Sequence, residues 1–373
     1  MNHIVIASHE FPPRIGGAGV VARDLATSLA RGGECRVTII TCYASSLVDM
    51  FRKHMVFEEL DGYRIIRIPV YKGMWFLSYP YMLNNVLPGD CDLLVFNDVA
   101  ISYLNDKYRD VTVVHYLHGK ERYLRYSGFI KSTLLSFDRI FRKNLNNADY
   151  IICVSEFIKG WLVNTNVLNN KDKIKVLENR IDTSLFYKAG EIPVRFKLNL
   201  EGHVLISASR LVEGKGYERM LRLFNEMVQE GCNDLKWIVV GDGDYRNQFE
   251  TNISDLGLDD KVMCIGRVDR EKLLYLYSQA DLFWLLSDFE EAFPLVYKEA
   301  IACGLPALGN DLGGVKEVIS HRVDGFVCSN DADVKALILD RTYCNLTGIR
   351  DVTNFDDTRF GKDFIELICS HEK

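Results

Sequence analysis

Two α/β domains, each a doubly wound sheet, are predicted for this sequence on three observations. Short apolar runs alternate with helical periodicity along the whole chain. The alternation restarts after a turn-rich stretch at Thr183–Pro193. At 373 residues the chain also exceeds one ordinary domain. The expected domains are residues 1–185 and 186–355, with a last helix from about 356 to 373.

The first half opens with the apolar run Ile4–Ala7, read as a strand, and a loop holding Pro12, Pro13, Gly16, Gly17 and Gly19. Val20 to Arg31 follows with Val21, Leu25 and Leu29 on one face, which predicts a helix stopped by Gly32-Gly33. Further strands are read at Val37–Thr41, Leu93–Phe96, Val111–Val114 and Tyr150–Val154, because strands buried on both faces appear as short apolar runs. In the second half the runs are Val204–Ala208, Trp237–Val240, Val262–Ile265, Leu282–Leu286 and Pro306–Gly309. Helices are expected between them, at Tyr217–Gln229 and Arg270–Ser278 for example. Asp356–Cys369 is amphipathic and reads as the terminal helix.

Composition narrows the class. A hydrophobic share of 48% with 26% charged residues is that of a soluble globular protein. The ten cysteines form no Cys-x-x-Cys pair and no His-Cys cluster of zinc spacing, which fits a reducing, cytoplasmic setting. Met1-Asn2-His3 lacks the basic start of a signal peptide, and no run approaches the roughly 20 apolar residues of a membrane span. The net charge of −6 is uneven: residues 1–185 carry 23 Lys/Arg against 19 Asp/Glu, and the remainder 22 against 32. A basic first half favours an anionic surface or substrate, and no nucleic-acid partner is expected.

In open α/β sheets, ligands sit beyond the carboxyl ends of the strands, and the chemically suggestive residues all fall there. Gly16 and Gly17 lie between the first strand and its helix, where backbone can approach an oxygen-rich ligand. His118 ends the run Val111–Leu117. Arg210 and Lys215 flank Gly214 after Val204–Ala208; an Arg fork and a Lys point charge can both address a diphosphate. Gly241 and Gly243 form a turn after Val239-Val240, and Arg267-Val268 follows Ile265-Gly266. Glu291 and Glu299 bracket Pro294, which is expected at the first helical position, where its missing N–H costs nothing. Each feature alone also suits an ordinary turn or a solvated charge.

Arg210…Lys215 followed by Glu291-Ala-Phe-Pro-Leu-Val-Tyr-Lys-Glu299 together resemble retaining GT-B glycosyltransferases of family 4, whose signature is Glu-x7-Glu. The resemblance covers nearly the whole chain. It implies an α/β GT-B fold, with two Rossmann-like domains facing each other across a cleft and the C-terminal helix crossing back to the first domain. It implies that a nucleotide-sugar, UDP-sugars by family frequency, gives its sugar to an acceptor hydroxyl with retention of configuration. Arg210 and Lys215 would neutralise the leaving diphosphate and His118 would meet the transferred sugar. Glu291, with the amides of Phe293 and Leu295, would bind sugar hydroxyls, and Glu299 the ribose. Gly16, Gly17, Gly241, Gly243, Arg267 and Val268 would border the donor. Two positions depart from the family pattern: Arg180 in Asn179-Arg180-Ile181-Asp182 stands where Gly is usual, and Pro294 removes one amide from the sugar turn.

No cofactor is expected. Asp242-Gly243-Asp244 and Asp331-Ala332-Asp333 both read Asp-x-Asp, the mark of metal-dependent transferases, but Arg210 and Lys215 offer the counter-charge without a metal. The acceptor is expected to be a glycan or lipid-linked sugar in cell-surface polysaccharide synthesis. The aromatic stretch Tyr71–Leu83 and the seven Lys/Arg against two acids in 115–145 fit docking on an anionic membrane. They fit equally a set of buried aromatics beside a solvated basic face. A soluble acceptor, of the sucrose, trehalose or glycogen synthase type, shares every donor-side motif. A nucleotide-sugar epimerase and a non-catalytic nucleotide-sugar binder are further alternatives, which the intact Arg210, Lys215, Glu291 and Glu299 disfavour.

Overall fold

The computed structural model describes residues 1–13, 16–46, 48, 52, 54–71, 75–102, 108, 110–120, 137–183, 201–346 and 356–369. The expectations for 72–74, 121–136 and 184–193 lie outside the described residues. The chain divides into two compact units, Met1–Arg180 with Asp357–Lys373, and Ile181–Asp356.

In the first unit the strands are β1 (His3–Ala7), β2 (Arg36–Ser45), β3 (Val56–Leu60), β4 (Tyr63–Tyr71), β5 (Leu93–Phe96), β6 (Thr112–Leu117), β7 (Tyr150–Cys153) and β8 (Ile174–Val176). The helices are α1 (Gly17–Gly32), α2 (Trp75–Val86), α3 (Phe137–Asn147) and α4 (Glu156–Asn164). The sheet order is β3-β4-β2-β1-β5-β6-β7-β8, with every pairing parallel except β3 with β4. Each residue of β1 and of β5 is buried, as strands covered on both faces must be.

The β3–β4 hairpin has no counterpart in the sequence reading. Its turn, Asp61-Gly62, holds φ of 50° and 85°, the doubly positive geometry that matches strand twist in a two-residue loop. Part of the aromatic stretch lies in α2. α2 buries Tyr79, Met82 and Leu83 completely, while Tyr81 is 54% exposed.

The second unit contains β9 (His203–Ala208), α5 (Tyr217–Gln229), β10 (Leu235–Val240), α6 (Arg246–Asp255), β11 (Val262–Gly266), α7 (Arg270–Ser278) and β12 (Leu282–Leu285). α8 (Leu295–Ala302), β13 (Ala307–Asn310), α9 (Val315–Val318), β14 (Gly325–Cys328) and α10 (Asp331–Leu339) complete it. Its six strands run parallel in the order β11-β10-β9-β12-β13-β14. Trp237 and Trp284 meet edge to face at 4.9 Å in the core, and Ser207 Oγ ties them by accepting from Trp237 Nε1 and donating to Trp284 O. A buried hydroxyl needs such partners, and here they also lock three adjacent strands.

α11 (Phe360–Cys369) returns to the first unit and packs on α1. Ser28 Oγ donates to Asp357 O and accepts from Gly361 N, and Gly361 lies so close to Leu29 that a Cβ would meet its nitrogen at 2.7 Å. Arg180, which replaces a glycine of the resembling family, takes no positive φ. It forms an ion pair with Asp363 of α11 at 3.4 Å instead.

Candidate functional site

In the second unit the chain reverses direction across the sheet between β9 and β12, which are adjacent while β10 and β13 lie to opposite sides. Such a switch point opens a crevice at the carboxyl strand ends. The loops after β9 and β12 are those that carry Arg210, Lys215 and Glu291.

Lys215 and Glu291 meet there. Lys215 Nζ forms an ion pair with Glu291 Oε1, with the side chains 14% and 20% exposed. Ser287 Oγ donates to the same carboxylate oxygen at 3.1 Å and accepts from Phe289 N at 3.2 Å. The Phe289 ring lies 5.8 Å from the Lys215 ammonium, a weak cation–π contact on another side. Sequence reasoning missed Ser287 and Phe289; Asn310 Nδ2 donates to Ser287 O at 3.3 Å. The available signal was position: Ser287 and Phe289 follow the end of β12 at the switch point, and Asn310 ends the neighbouring β13.

Glycines permit these close approaches. Gly216 has φ of 78°, and a Cβ there would stand 1.9 Å from Leu286 O. Gly313 and Gly314 press against the Glu291–Ala292 backbone, and Gly314 N donates to Glu291 O at 2.7 Å. The Gly-Gly loop before α9 therefore fixes the backbone that carries Glu291.

The turn after β10 supports the Arg210 loop from its other side. Leu211 N donates to Asp242 O, Tyr245 N to Leu211 O and Gly241 N to Gly266 O, at 3.1, 3.0 and 2.9 Å. Gly241, at φ of 133°, and Gly243 lie against the carbonyls of Ser209 and Leu211. Their direct role is thus to seat the 209–211 segment. Arg210 itself is exposed and takes no part in the Lys215–Glu291 pair. Arg267 is exposed and Val268 half-buried at the end of β11.

Pro294 is the N-cap of α8 and not its first residue, with ψ of 98°, so Leu295 becomes the first helical position. Tyr297 N reaches back to Pro294 O at 3.3 Å, which leaves the Leu295 and Val296 amides as the first-turn donors. Phe293 and Pro294 are buried and Leu295 is half-buried. Glu299 lies one turn on and outside the Lys215–Glu291 pair. Its charge reaches the Cys303 thiol, which burial first, and Glu299 second, push up to about 12.

Of the acidic triplets, Asp331 pairs with Arg222 and with Arg219, and Asp242 lies 3.9 Å from Arg246. These carboxylates are engaged by arginines on α5 and α6.

His118 and the glycine loop belong to the first unit. Gly16 is the N-cap of α1 with no side-chain cap, and a Cβ there would collide with the Glu10 carboxylate. Gly17 has open space around it. His118 Nε2 is 2.7 Å from Asn97 Oδ1, and its ring lies 4.6 Å from that of Tyr116. Burial holds the imidazole down to about 4, against a smaller upward pull from Asp98, so it is neutral at pH 7.

Known proteins place this geometry in context. Residues 15–185 match the family described as Glycosyltransferase Family 4, and residues 190–340 match Glycosyl transferases group 1. N-acetyl-alpha-D-glucosaminyl L-malate synthase of Bacillus anthracis is 26% identical over 330 residues, covering 85% of this chain and 81% of the relative. Anabaena HepE in complex with UDP superposes with a TM-score of 0.75 at 19% identity, over 99% of this chain and 100% of that one. Sucrose-phosphate synthase of Thermosynechococcus elongatus superposes at 0.79 with 18% identity, over 98% of both chains. HepE has also been solved with UDP-glucose.

Proposed function

For a chain that belongs to the group 1 glycosyltransferases of GT-B fold, we propose a retaining, metal-independent transferase moving a hexosyl or N-acetylhexosaminyl group from a UDP-sugar to an acceptor hydroxyl. The observation that carries the reading is the Lys215–Glu291 pair at the switch point of the second unit, with the exposed Arg210 on the same loop as Lys215. The donor choice is supported by the UDP and UDP-glucose bound to HepE.

In the proposed reaction the bond from the anomeric carbon to the diphosphate oxygen breaks. The acceptor oxygen bonds to that carbon on the same face, and its proton passes to the departing phosphate. Arg210 and Lys215 take up the charge that develops on the diphosphate, an electrostatic term that commonly dominates such catalysis. An arriving diphosphate competes with Glu291 for the Lys215 ammonium. Glu291 is then released to accept from sugar hydroxyls while Ser287 still orients it. The Leu295 amide donates to the sugar, Glu299 takes the ribose hydroxyls, and His118 meets the transferred sugar. Gly16, Gly17, Gly241, Gly243, Arg267, Val268, Phe293 and Pro294 shape the donor's surroundings.

We place the acceptor among glycans and lipid-linked sugars of cell-surface polysaccharides, used by a cytoplasmic enzyme at an anionic membrane surface. The basic excess of residues 1–185 supports this. No helix among the described residues is long and apolar enough to cross a membrane. A soluble acceptor is the second reading, favoured by the burial of Tyr79, Met82 and Leu83. Co-sedimentation with phosphatidylserine vesicles at low salt separates the two: binding supports the first, and none supports the second.

The test of the reaction is a panel of UDP-, GDP- and ADP-sugars, scored for nucleoside diphosphate release with and without EDTA. We expect release from a UDP-sugar, undiminished by EDTA, and an axial product anomer by NMR from an axial donor. Release dependent on added Mg²⁺, or an inverted anomer, contradicts the mechanism.

A further inference from the structure

The hydrogen-bonding of one buried amide decides the protonation of His118. Asn97 directly follows β5, is 1% exposed, and lies between the ends of β1 and β6 in the sheet. Its Nδ2 is 2.9 Å from Ala18 O, in the first turn of α1, and 3.0 Å from Ser8 Oγ. A backbone carbonyl can only accept, so the amide atom facing Ala18 is the nitrogen. Ser8 Oγ spends its own proton on Glu10 O at 2.6 Å and is free to accept from the second N–H of the amide. Both donors of Asn97 are therefore committed, and its oxygen alone faces His118 Nε2 at 2.7 Å. A carbonyl oxygen cannot donate, so Nε2 carries the proton and Nδ1 is left bare.

We propose that Asn97 is a positioning residue that holds His118 as the Nε2–H tautomer and so presents Nδ1 as an acceptor for a hydroxyl of the transferred sugar. Among the described residues His118 Nδ1 has no hydrogen-bond partner and is shielded from solvent. A hydroxyl donor satisfies it; a carbonyl or a carboxylate does not. The Tyr116 ring at 4.6 Å, with its own hydroxyl donating to Leu177 O at 3.1 Å, fixes the plane from which the imidazole presents this edge. The charge acting on the ring is that of Asp98, whose Oδ2 lies 2.7 Å from His9 Nδ1. Asn97 thus joins the glycine loop, the end of β1 and His118 into one hydrogen-bonded unit. The sugar part of the inference rests on the proposed glycosyl transfer; the tautomer does not.

Nitrogen-15 NMR of histidine-labelled full chain, with His118→Gln to assign the signal, reads the tautomer without any substrate. The expected result at pH 7 is a neutral ring protonated on Nε2. A ring protonated on Nδ1, or on both nitrogens, overturns the proposal. In Asn97→Ala, folded by circular dichroism, the expected result is a mixture of tautomers and a kcat/KM lower by tenfold or more, chiefly through kcat. A single unchanged tautomer in that variant overturns it as well. If the wild-type ring is the Nε2–H tautomer but no nucleotide-sugar is turned over, the positioning role stands and the glycosyl-transfer reading falls.

Discussion

Glu291 Oε1 accepts from a lysine ammonium and a serine hydroxyl, and the two donors make different predictions. Removing the hydroxyl with Ser287→Ala leaves the ion pair but frees the carboxylate to turn. A hydrogen bond to a charged group contributes about 1.5–3 kcal/mol, so kcat/KM should fall roughly tenfold to a hundredfold. An unchanged value would mean Ser287 does not orient Glu291. Arg210→Ala should lower kcat much more than it raises KM, since the guanidinium is exposed and its work is expected at the transition state. Equal effects on both would place its contribution in ground-state binding. The sequence made Lys215 and Glu291 legible because each lies in a motif with a chemical reading. Ser287 and Asn97 were not legible, because a Ser or Asn after a strand is ordinary until its partners are known.

The elements that hold these residues depend on close backbone contacts. Gly216→Ala would force a Cβ to 1.9 Å from Leu286 O at a positive φ, so the loop carrying Lys215 must shift. Urea unfolding of the second unit should report a loss of about 1–3 kcal/mol or more, and an unaltered midpoint would contradict the close approach. Ser28→Ala removes both side-chain hydrogen bonds between α1 and the start of α11. Limited proteolysis should then cut near 357–361 at least several times faster, consistent with about 1–3 kcal/mol for groups left unsatisfied. Parallel strands and amphipathic helices were legible element by element, and Tyr217–Gln229 and Arg270–Ser278 have the bounds their periodicity implied. The β3–β4 hairpin was missed although Asp61-Gly62 is a strong turn signal. β3 is a largely exposed edge strand, Val-Phe-Glu-Glu-Leu, without the apolar run that marks the buried strands. α2 was missed because Pro80 and its aromatics obscured the helical period.

At the scale of the molecule, the two units have separate sheets, and the first carries an acid sensitivity of its own. His115 lies within β6 and His118 directly follows it, and burial pushes them down to about 3 and about 4. Both are neutral when folded, whereas an unfolded histidine takes up a proton near pH 6.5. The stability they contribute is complete above about pH 6.5 and is lost as pH falls through that value toward the folded values. The urea midpoint should therefore decline between pH 6.5 and 4, and His115→Phe, a ring able to stack on Phe96 at 5.1 Å, should flatten that decline. A slope identical in the variant would assign the acid loss to carboxylates instead. The α/β class was legible because buried parallel strands read as short apolar runs, and the family because Arg210, Lys215 and Glu291–Glu299 resemble its motifs. The return of α11 through Ser28 and Gly361 rests on contacts between residues far apart in sequence, which periodicity does not carry. In the proposed reaction Lys215 and Glu291 mark a diphosphate site. Calorimetric titration of UDP into wild type and Lys215→Ala tests it most directly. Binding by the wild type weakened at least tenfold in the variant is the predicted result; equal UDP affinity in the two proteins would contradict it.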